Sequence, residues 1–396
     1  MKRVAILGST GSIGSQALDV IEAHPDRFRI AALAAGNNVA LLARQANRFK
    51  PPFLSAGSSA LAGELRAALD YAPRSIGHGA TGLTEAVEED IDCVLAATDG
   101  MVSLNAVLRA IDRGCSIALA NKELAVAAGE LLFTRARASG ATIVPVDSEH
   151  SAVFQCLTGE NLDDVAAVVL TASGGPFWEL SLDQMRDVTP AQALAHPTWA
   201  MGPKNTIDSA TMMNKGLEVI EASRFFGLAP EQIDVVVHRQ SVAHAFIVFR
   251  DGSIKAQLAA PDMRIPIGYA LAYPQRLPGG DAGKARDSIG LGGATRLTFE
   301  PLDNSRFPAV ALCFRALRAG GTFPAVLSAA NEEAGRAFLQ GKVKFTEISA
   351  LVENALDRHA GGPATPATLD AIAAADAWAR SWTRAEIGRR AAAPVE

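Results

Sequence analysis

Carboxylates and lysines at short spacing mark where this chain could do chemistry. Asp147-Ser148-Glu149 follows the apolar run 143–146, and side chains two apart on an extended chain point to one side. Two carboxylates held side by side repel each other unless a cation lies between them. Hard divalent ions such as Mg²⁺ or Mn²⁺ take oxygen ligands of this kind and keep positions open for substrate. Glu218, in Thr211-Met212-Met213-Asn214-Lys215-Gly216-Leu217-Glu218, offers a third ligand and leads into a helix expected over 217–226. A solvated loop edge without metal explains the spacing of the acidic trio equally well. His150 reads as a supporting residue, because a zinc-type site would want more His or Cys.

A second group suits an anion. Ser173-Gly174-Gly175 follows the apolar run 165–170, so its amides and hydroxyl can form a nest. Ser209, Asn214 and Lys215 add donors and one positive charge, and together these residues suit a small phosphorylated molecule. His196 stands in His196-Pro197-Thr198-Trp199-Ala200-Met201-Gly202-Pro203, beside an indole and a thioether. That setting fits a lid that closes over substrate and excludes water, although a lone loop histidine is commonly an ordinary surface residue. Lys122, in Asn121-Lys122-Glu123, follows the run 116–120, at the carboxyl edge where doubly wound sheets bind ligands. It can hydrogen-bond a carbonyl or hydroxyl near a hydride acceptor. Read blandly, Lys122 is a surface residue and Glu123 sits in the first helical turn, where negative charge is favoured. His238 and His244 read as satisfied core histidines.

The third group is a glycine loop. The run 4–7 passes into Gly8-Ser9-Thr10-Gly11-Ser12-Ile13-Gly14 and then an amphipathic pattern. Glycines there let backbone N–H groups approach a pyrophosphate at a helix N-terminus. The spacing G-x-x-G-x-x-G is a variant of the usual fingerprint, and its strand-before, helix-after context gives it weight. At the end of the second strand an Asp or Glu would bind a ribose 2′-hydroxyl and repel a 2′-phosphate. The chain has Gly36-Asn37-Asn38 instead, which favours NADP over NAD.

These groups need elements to hold them. Strands are expected at 4–7, 30–34, 93–96, 116–120 and 143–145, with helices at 13–22, 39–47, 59–69, 101–112 and 123–138. Such β-α alternation implies a parallel, doubly wound sheet, read least firmly between 51 and 90. Residues 148–275 differ in character. Strands at 165–170 and 234–237 are followed by a pair at 243–249 and 253–259 joined by an Asp-Gly hairpin turn. The stretch 173–216 reads as one long functional loop, flexible near 180–205. A Gly/Pro-rich linker spans 276–300. Beyond it the pattern is helical, with Thr346 as an N-cap, Ile348, Leu351, Val352, Ala355 and Leu356 on one face, and Trp378 and Trp382 one turn apart. The fold class is therefore α/β: a Rossmann-like domain (1–147), a central α+β catalytic domain (148–275), a linker (276–300) and a C-terminal helical bundle (301–396).

The 396 residues are too many for one core. With 49% apolar and 20% charged residues and a net charge of −5, the chain is neither disordered nor built for a nucleic-acid backbone. No apolar run approaches membrane-spanning length, and the apolar stretch after Lys2 and Arg3 is too short for a signal-peptide core. Cys93, Cys115, Cys156 and Cys313 have no C-x-x-C spacing and read as buried thiols in a reducing compartment. A cytoplasmic location is expected, with no nucleic-acid or membrane partner.

Taken in order, these motifs resemble one family. Gly8–Gly14, Asn121-Lys122-Glu123, Asp147-Ser148-Glu149-His150, Ala172-Ser173-Gly174-Gly175-Pro176-Phe177, His196 through Gly202, Ser209 through Glu218, Ala260-Pro261-Asp262-Met263-Arg264 and Ala329-Ala330-Asn331-Glu332 are similar to those of the 1-deoxy-D-xylulose 5-phosphate reductoisomerases over essentially the whole chain. The resemblance implies an NADPH-dependent, metal-dependent homodimer of the non-mevalonate isoprenoid route that makes 2-C-methyl-D-erythritol 4-phosphate. It places the metal on Asp147, Glu149 and Glu218. Substrate contacts fall on Lys122, Ser148, Glu149, Ser173, His196, Ser209, Asn214, Lys215 and Glu218, with Glu149, Lys122 and His196 as catalytic residues. Cofactor contacts fall on Thr10, Gly11, Ser12, Ile13, Gly36, Asn37, Asn38, Asn121, Glu123 and Gly202. Two departures stand out. The family usually has Lys or Arg at Asn37, so rejection of NADH is expected to be less strict. Arg239 replaces a proline, for which a local structural effect is expected.

The implied chemistry combines a metal acting as Lewis acid, a skeletal rearrangement by either a retro-aldol/aldol route or an α-ketol shift, and hydride reduction of the resulting aldehyde. Two other readings use fewer of these residues. A metal-independent NADP-dependent semialdehyde-type dehydrogenase would want a nucleophilic cysteine. A non-catalytic NADP-binding sensor would leave the acidic trio without a purpose.

Overall fold

The computed structural model describes residues 1–196, 199, 202–278, 287, 289–290, 296–360 and 367–392. Most of the expected linker (279–286, 288 and 291–295) lies outside the described residues, as do Pro197, Thr198, Ala200 and Met201 of the expected lid. In chain order the elements begin β1 (Lys2–Leu7), α1 (Ser12–Ala23), β2 (Phe28–Ala34), α2 (Val39–Phe49), β3 (Phe53–Ala56), α3 (Ser59–Ala67), β4 (Ser75–His78) and α4 (Gly79–Glu88). They continue with β5 (Cys93–Ala96), α5 (Leu104–Asp112), β6 (Ser116–Leu119), α6 (Lys122–Ser139), β7 (Ile143–Pro145), α7 (Ser148–Leu157), β8 (Val165–Ala172), α8 (Leu182–Met185), α9 (Pro190–Ala193), α10 (Pro203–Ala210) and α11 (Met213–Phe226). The remainder are β9 (Ile233–Val237), β10 (Ala243–Phe249), β11 (Ile254–Leu258), α12 (Arg264–Ala272), β12 (Glu300–Pro301), α13 (Ala309–Ala319), α14 (Phe323–Leu339), α15 (Glu347–Arg358) and α16 (Leu369–Ala392).

The chain divides into two compact units. One comprises Met1–Leu124, Leu132–Ser151 and Asp262–Gly280; the other comprises Ala125–Leu131, Ala152–Pro261 and Asp281–Glu396.

The first unit is a parallel sheet in the order β4-β3-β2-β1-β5-β6-β7. Val4, Ala5, Ile6 and Leu7 are fully buried, as expected of a central parallel strand covered on both faces. Leu7 pairs with Ala34 on one side and Ala96 on the other, so β1, β2 and β5 end level. Strand order reverses between β1 and β5, which opens a crevice at the carboxyl ends of the strands. Helix α12 returns to pack on α1. The Lys2 ammonium holds its C-terminal end by donating to the carbonyls of Leu271 and Tyr273 at 2.8 and 3.2 Å. Between 51 and 90 the structure adds β3, β4 and α4, which the sequence reading does not contain. Helix α5 starts at Leu104 instead of 101.

The second unit is built on a mixed sheet in the order β11-β10-β8-β9-β12. β8 and β9 run parallel, while β10 is antiparallel to both β8 and β11. The Asp-Gly turn joins β10 and β11 as expected: Gly252 takes φ +86° and Asp251 Oδ1 accepts from the Ser253 amide at 2.8 Å. Leu170, Ala245 and Ile247 of the sheet, Leu217 and Ile220 of α11, and Val326 and Ala330 of α14 form one apolar core. The stretch 173–216 is not the single loop expected. Capping boxes at Ser181/Gln184 and Thr189/Gln192 start α8 and α9, and α10 and the beginning of α11 follow. Thr346 precedes α15 in helical geometry and makes no side-chain cap; Glu347 accepts from the Lys344 amide at 2.7 Å instead.

Candidate active site

The glycine loop closes on itself so tightly that Gly8 and Gly14 have no room for a side chain. Gly8 takes φ +95°, and a Cβ there would lie 2.2 Å from the Ala97 carbonyl oxygen. A Cβ on Gly14 would lie 2.2 Å from the Gly8 carbonyl oxygen. The turn therefore brings Thr10, Gly11, Ser12 and Ile13 to the start of α1, whose first-turn N–H groups lack helical partners. No acidic residue stands in that turn. These are the conditions that favour an anion. Gly36, Asn37 and Asn38 are exposed after β2. Asn38 Oδ1 is already engaged, capping α2 by accepting from the Leu41 amide at 3.1 Å.

At the carboxyl end of β6, Asn121 caps α6 by accepting from the Leu124 amide at 2.9 Å. Its Nδ2 donates to the carbonyls of Thr98 and Gly100 at 2.6 and 2.8 Å. The Asn121 side chain is thus committed within the protein, which leaves Lys122 and Glu123 as the first two residues of the helix.

The acidic trio departs from the extended geometry expected. Ser148 already begins α7, because Asp147 Oδ1 accepts from the amides of Glu149 and His150 at 3.2 and 3.4 Å. Asp147 is therefore a helix-capping carboxylate. Its Oδ1 also meets Nδ1 of the fully buried His150 at 2.8 Å, and its Oδ2 is ion-paired with Lys122. Ser148 Oγ donates to Glu149 Oε2 at 2.6 Å.

In the second unit Ser173, His196 and Ser209 converge. The Ser173 and Ser209 hydroxyls lie 3.1 and 3.0 Å from His196 Nε2. His196 Nδ1 accepts the Trp199 amide at 2.9 Å, so the imidazole proton sits on Nε2, facing the two hydroxyls. Burial pushes the His196 titration below its ordinary value, which keeps the ring neutral near pH 7. Gly174 and Gly175 take φ +80° and +65°, and a Cβ on Gly175 would lie 2.7 Å from the Ser209 carbonyl oxygen. The serine–glycine nest and the end of α10 are therefore in direct backbone contact.

Helix α11 begins earlier than 217, at Met213, after Met212 in a left-handed conformation at φ +63°. A non-glycine residue there is strained, and such strain gathers at functional turns. Met212 re-aims the chain so that Asn214, Lys215 and Glu218 share one face of the helix. Glu218 is 1% exposed and Lys215 4%; the two are ion-paired, and Asn214 donates to the other Glu218 oxygen. Gly202 is the N-cap residue of α10.

The residues set aside as structural behave that way. His238 is fully buried, with Nδ1 2.9 Å from the Thr298 carbonyl oxygen and Nε2 accepting the Val242 and Ala243 amides at 3.2 Å. His244 is likewise buried, with Nε2 3.2 Å from the Ala259 carbonyl oxygen. Arg239 reaches Glu179. All four cysteines are free and buried, and burial raises each thiol pKa, that of Cys93 to about 11. None is an activated nucleophile. The feature the sequence reading missed is the Trp199 amide that fixes the His196 tautomer. Backbone donors carry no residue signature.

A glycine-cradled turn at a Rossmann switch point, with a capping carboxylate and lysine at the ends of β7 and β6 of the same sheet, defines an α/β oxidoreductase. Comparison with known proteins is specific. The chain belongs to the 1-deoxy-D-xylulose 5-phosphate reductoisomerase family. Three models match it: that of 1-deoxy-D-xylulose 5-phosphate reductoisomerase over residues 4–129, its C-terminal domain over 143–226, and a further DXP reductoisomerase C-terminal domain over 258–382. The reductoisomerase of Exiguobacterium sibiricum is 47% identical over 96% of this chain and 98% of its own length. That of Geobacter metallireducens is 47% identical over 98% of this chain and all of its own. Among solved structures, the Zymomonas mobilis enzyme in complex with NADPH superposes with a TM-score of 0.89 at 43% identity, covering 98% of this chain and 99% of that one. A DOX-P reductoisomerase in complex with NADPH, fosmidomycin and magnesium gives 0.90 at 37% identity over the full length of both.

Proposed function

We propose that the chain converts 1-deoxy-D-xylulose 5-phosphate to 2-C-methyl-D-erythritol 4-phosphate, with NADPH as reductant and a divalent cation. The observation that carries this is the near-complete coverage of the chain by reductoisomerases at 47% identity. The glycine turn fits NADPH: Gly8 and Gly14 let the backbone fold tightly into the start of α1, whose first-turn N–H groups lack helical partners and meet no acidic residue in that turn. The carboxylates fit a hard cation. Asp147, Glu149 and Glu218 supply oxygen only, and Asp147 and Glu218 are each already balanced by a lysine ammonium.

In this reading Asp147, Glu149 and Glu218 hold Mg²⁺ or Mn²⁺. Thr10, Gly11, Ser12, Ile13, Gly36, Asn37, Asn38, Asn121, Glu123 and Gly202 hold the cofactor. When bound, the ion supplies Lewis acidity to the substrate's vicinal oxygens and NADPH supplies the hydride. Ser173, Ser209, Asn214 and Lys215 anchor the phosphate, whose binding energy can be spent on the chemical step. His196 donates through Nε2, and the two hydroxyls it meets face the same anion. Lys122 orients a substrate oxygen together with Ser148. Glu149 moves hydroxyl protons in the rearrangement, by either a retro-aldol/aldol route or an α-ketol shift. The domain limits expected above (1–147, 148–275, 276–300 and 301–396) belong to the same reading. A homodimer formed through the central strands also belongs to it, supported by β11 lying at a sheet edge. So does a cytoplasmic location, supported by four buried, unpaired cysteines. No helix among the described residues is long and apolar enough to cross a membrane.

The test is NADPH absorbance decay with 1-deoxy-D-xylulose 5-phosphate, first as purified, then with EDTA, then with Mg²⁺ or Mn²⁺ restored. Metal-dependent oxidation is expected. Folded protein that binds NADPH and turns over under no metal condition overturns the proposal and leaves the sensor reading. EDTA-resistant oxidation favours the dehydrogenase reading.

A further inference from the structure

Helix α10 ends on Ser209, and the residue before it is a buried carboxylate. Asp208 is 2% exposed. Burying a carboxylate is costly unless it is paired and hydrogen-bonded. Lys204, one turn earlier, brings its ammonium to 2.9 Å from Asp208 Oδ2. The hydrogen bond to this carboxylate comes from a different part of the chain: Asn331 Nδ2, in the middle of α14, donates to Asp208 Oδ1 at 2.7 Å. Asn331 is itself 2% exposed, and its own amide oxygen has no hydrogen-bond partner among the described residues. A buried asparagine inside a helix is unfavourable for the helix, and an unmade acceptor bond adds further cost. What the amide contributes in return is its bond to Asp208. One turn further along α14, Gly335 lies against Ile207 of α10.

We infer that Asn331 is a positioning residue for phosphate recognition. Acting through Asp208, it fixes the rotation of the last turn of α10 and so the placement of the Ser209 hydroxyl against His196. This inference rests on Ser209 binding the substrate phosphate, as proposed above. The amide suits the task because it donates without adding charge beside Lys204. An aspartate at 331 would set two carboxylates together, and an apolar residue would leave Asp208 held from one side only.

Three proteins test this: wild type, Asn331→Leu, and the exchanged pair Asp208→Asn/Asn331→Asp, which keeps one amide and one carboxylate in contact. Steady-state kinetics give KM and kcat for the phosphosugar, fluorescence gives NADPH affinity, and ³¹P NMR gives the Kd of inorganic phosphate without turnover. Asn331→Leu is expected to raise phosphosugar KM and phosphate Kd at least fivefold, with kcat within threefold and NADPH affinity unchanged. The exchanged pair is expected to return both to within threefold of wild type. Unchanged KM and Kd in folded Asn331→Leu, with only a lowered Tm, overturn the inference. If Asn331→Leu does not fold, the exchanged pair is compared with Asp208→Asn alone, and equal phosphate Kd in those two overturns it. Wild type that binds phosphate without turnover counts against the proposed reaction, while the Kd comparison still judges Asn331. Wild type that binds no phosphate overturns both.

Discussion

The backbone amide of Trp199 donates to Nδ1 of His196 at 2.9 Å, and this bond gives the histidine a direction. With Nδ1 accepting, the ring is neutral and its proton points from Nε2 toward Ser173 and Ser209. A residue three positions on thus sets the hydrogen-bonding sense of the proposed phosphate site. Protonation would place a second N–H on Nδ1, facing the Trp199 N–H, and the bond would be lost.

That opposition has a pH consequence. Burial holds the His196 titration below 6.5, so the folded state favours the neutral ring. The stability this lends is fully present above the ordinary histidine value and is lost as pH falls through the depressed one. In ligand-free protein, an NMR titration of the His196 ring should give a midpoint below 6.5, with Trp199 fluorescence changing at the same midpoint. A midpoint at or above 6.5, or a Trp199 signal indifferent to it, contradicts the arrangement.

Glu149 stands on the first turn of α7, one oxygen accepting from Ser148 Oγ. If it moves substrate protons, its charge matters to the chemistry and not to NADPH. Glu149→Gln should lower kcat by about 10²-fold or more, in the range general acid–base groups supply, and leave NADPH affinity within twofold. Turnover equal to wild type removes it from the proton transfers.

How far the chain could be read in advance depended on the length of each element's signal. β1 and the glycine loop were legible because four successive apolar residues end in glycines at fixed spacing. β3, β4 and α4 were not. β3 and β4 have four residues each, β4 is half exposed with Gly77 inside it, and α4 opens on Gly79 and contains Gly82. In 173–216, Ser181/Gln184 and Thr189/Gln192 carried a readable capping-box pattern that the Gly/Pro content masked. The Asp208–Asn331 bond joins residues 123 positions apart, and no local pattern announces such a pair. The residues of the candidate site were read from motifs, whereas the helix start at Ser148 that sets the acidic trio came only from the fold.

The glycine turn permits a test of the cofactor cradle without touching the chemistry. Gly14→Ala places a methyl where the Gly8 carbonyl oxygen stands 2.2 Å away, and backbone on both sides can yield only by opening the turn. Overpacking of this kind costs about 1–3 kcal/mol. The variant should melt several degrees lower and bind NADPH at least tenfold more weakly, as read by calorimetry and fluorescence titration. Wild-type affinity in folded Gly14→Ala protein would show that the turn does not hold the pyrophosphate.

Asn37 should decide how strictly the cofactor is chosen. It is exposed at the end of β2, and its neighbour Asn38 is engaged in capping α2, so neither brings a positive charge to a 2′-phosphate. The absence of a carboxylate there is expected to admit NADPH without repulsion, and the absence of a cation to make rejection of NADH less strict. Asn37→Lys adds one exposed ammonium, an interaction worth up to about 1 kcal/mol in solvent. The ratio of kcat/KM for NADPH over NADH should therefore rise about fivefold. The gain should shrink as salt is raised, because an exposed pair is screened. Wild type should show measurable turnover with NADH. An unchanged ratio in the variant would mean that the 2′-phosphate lies away from position 37 and is read by other groups.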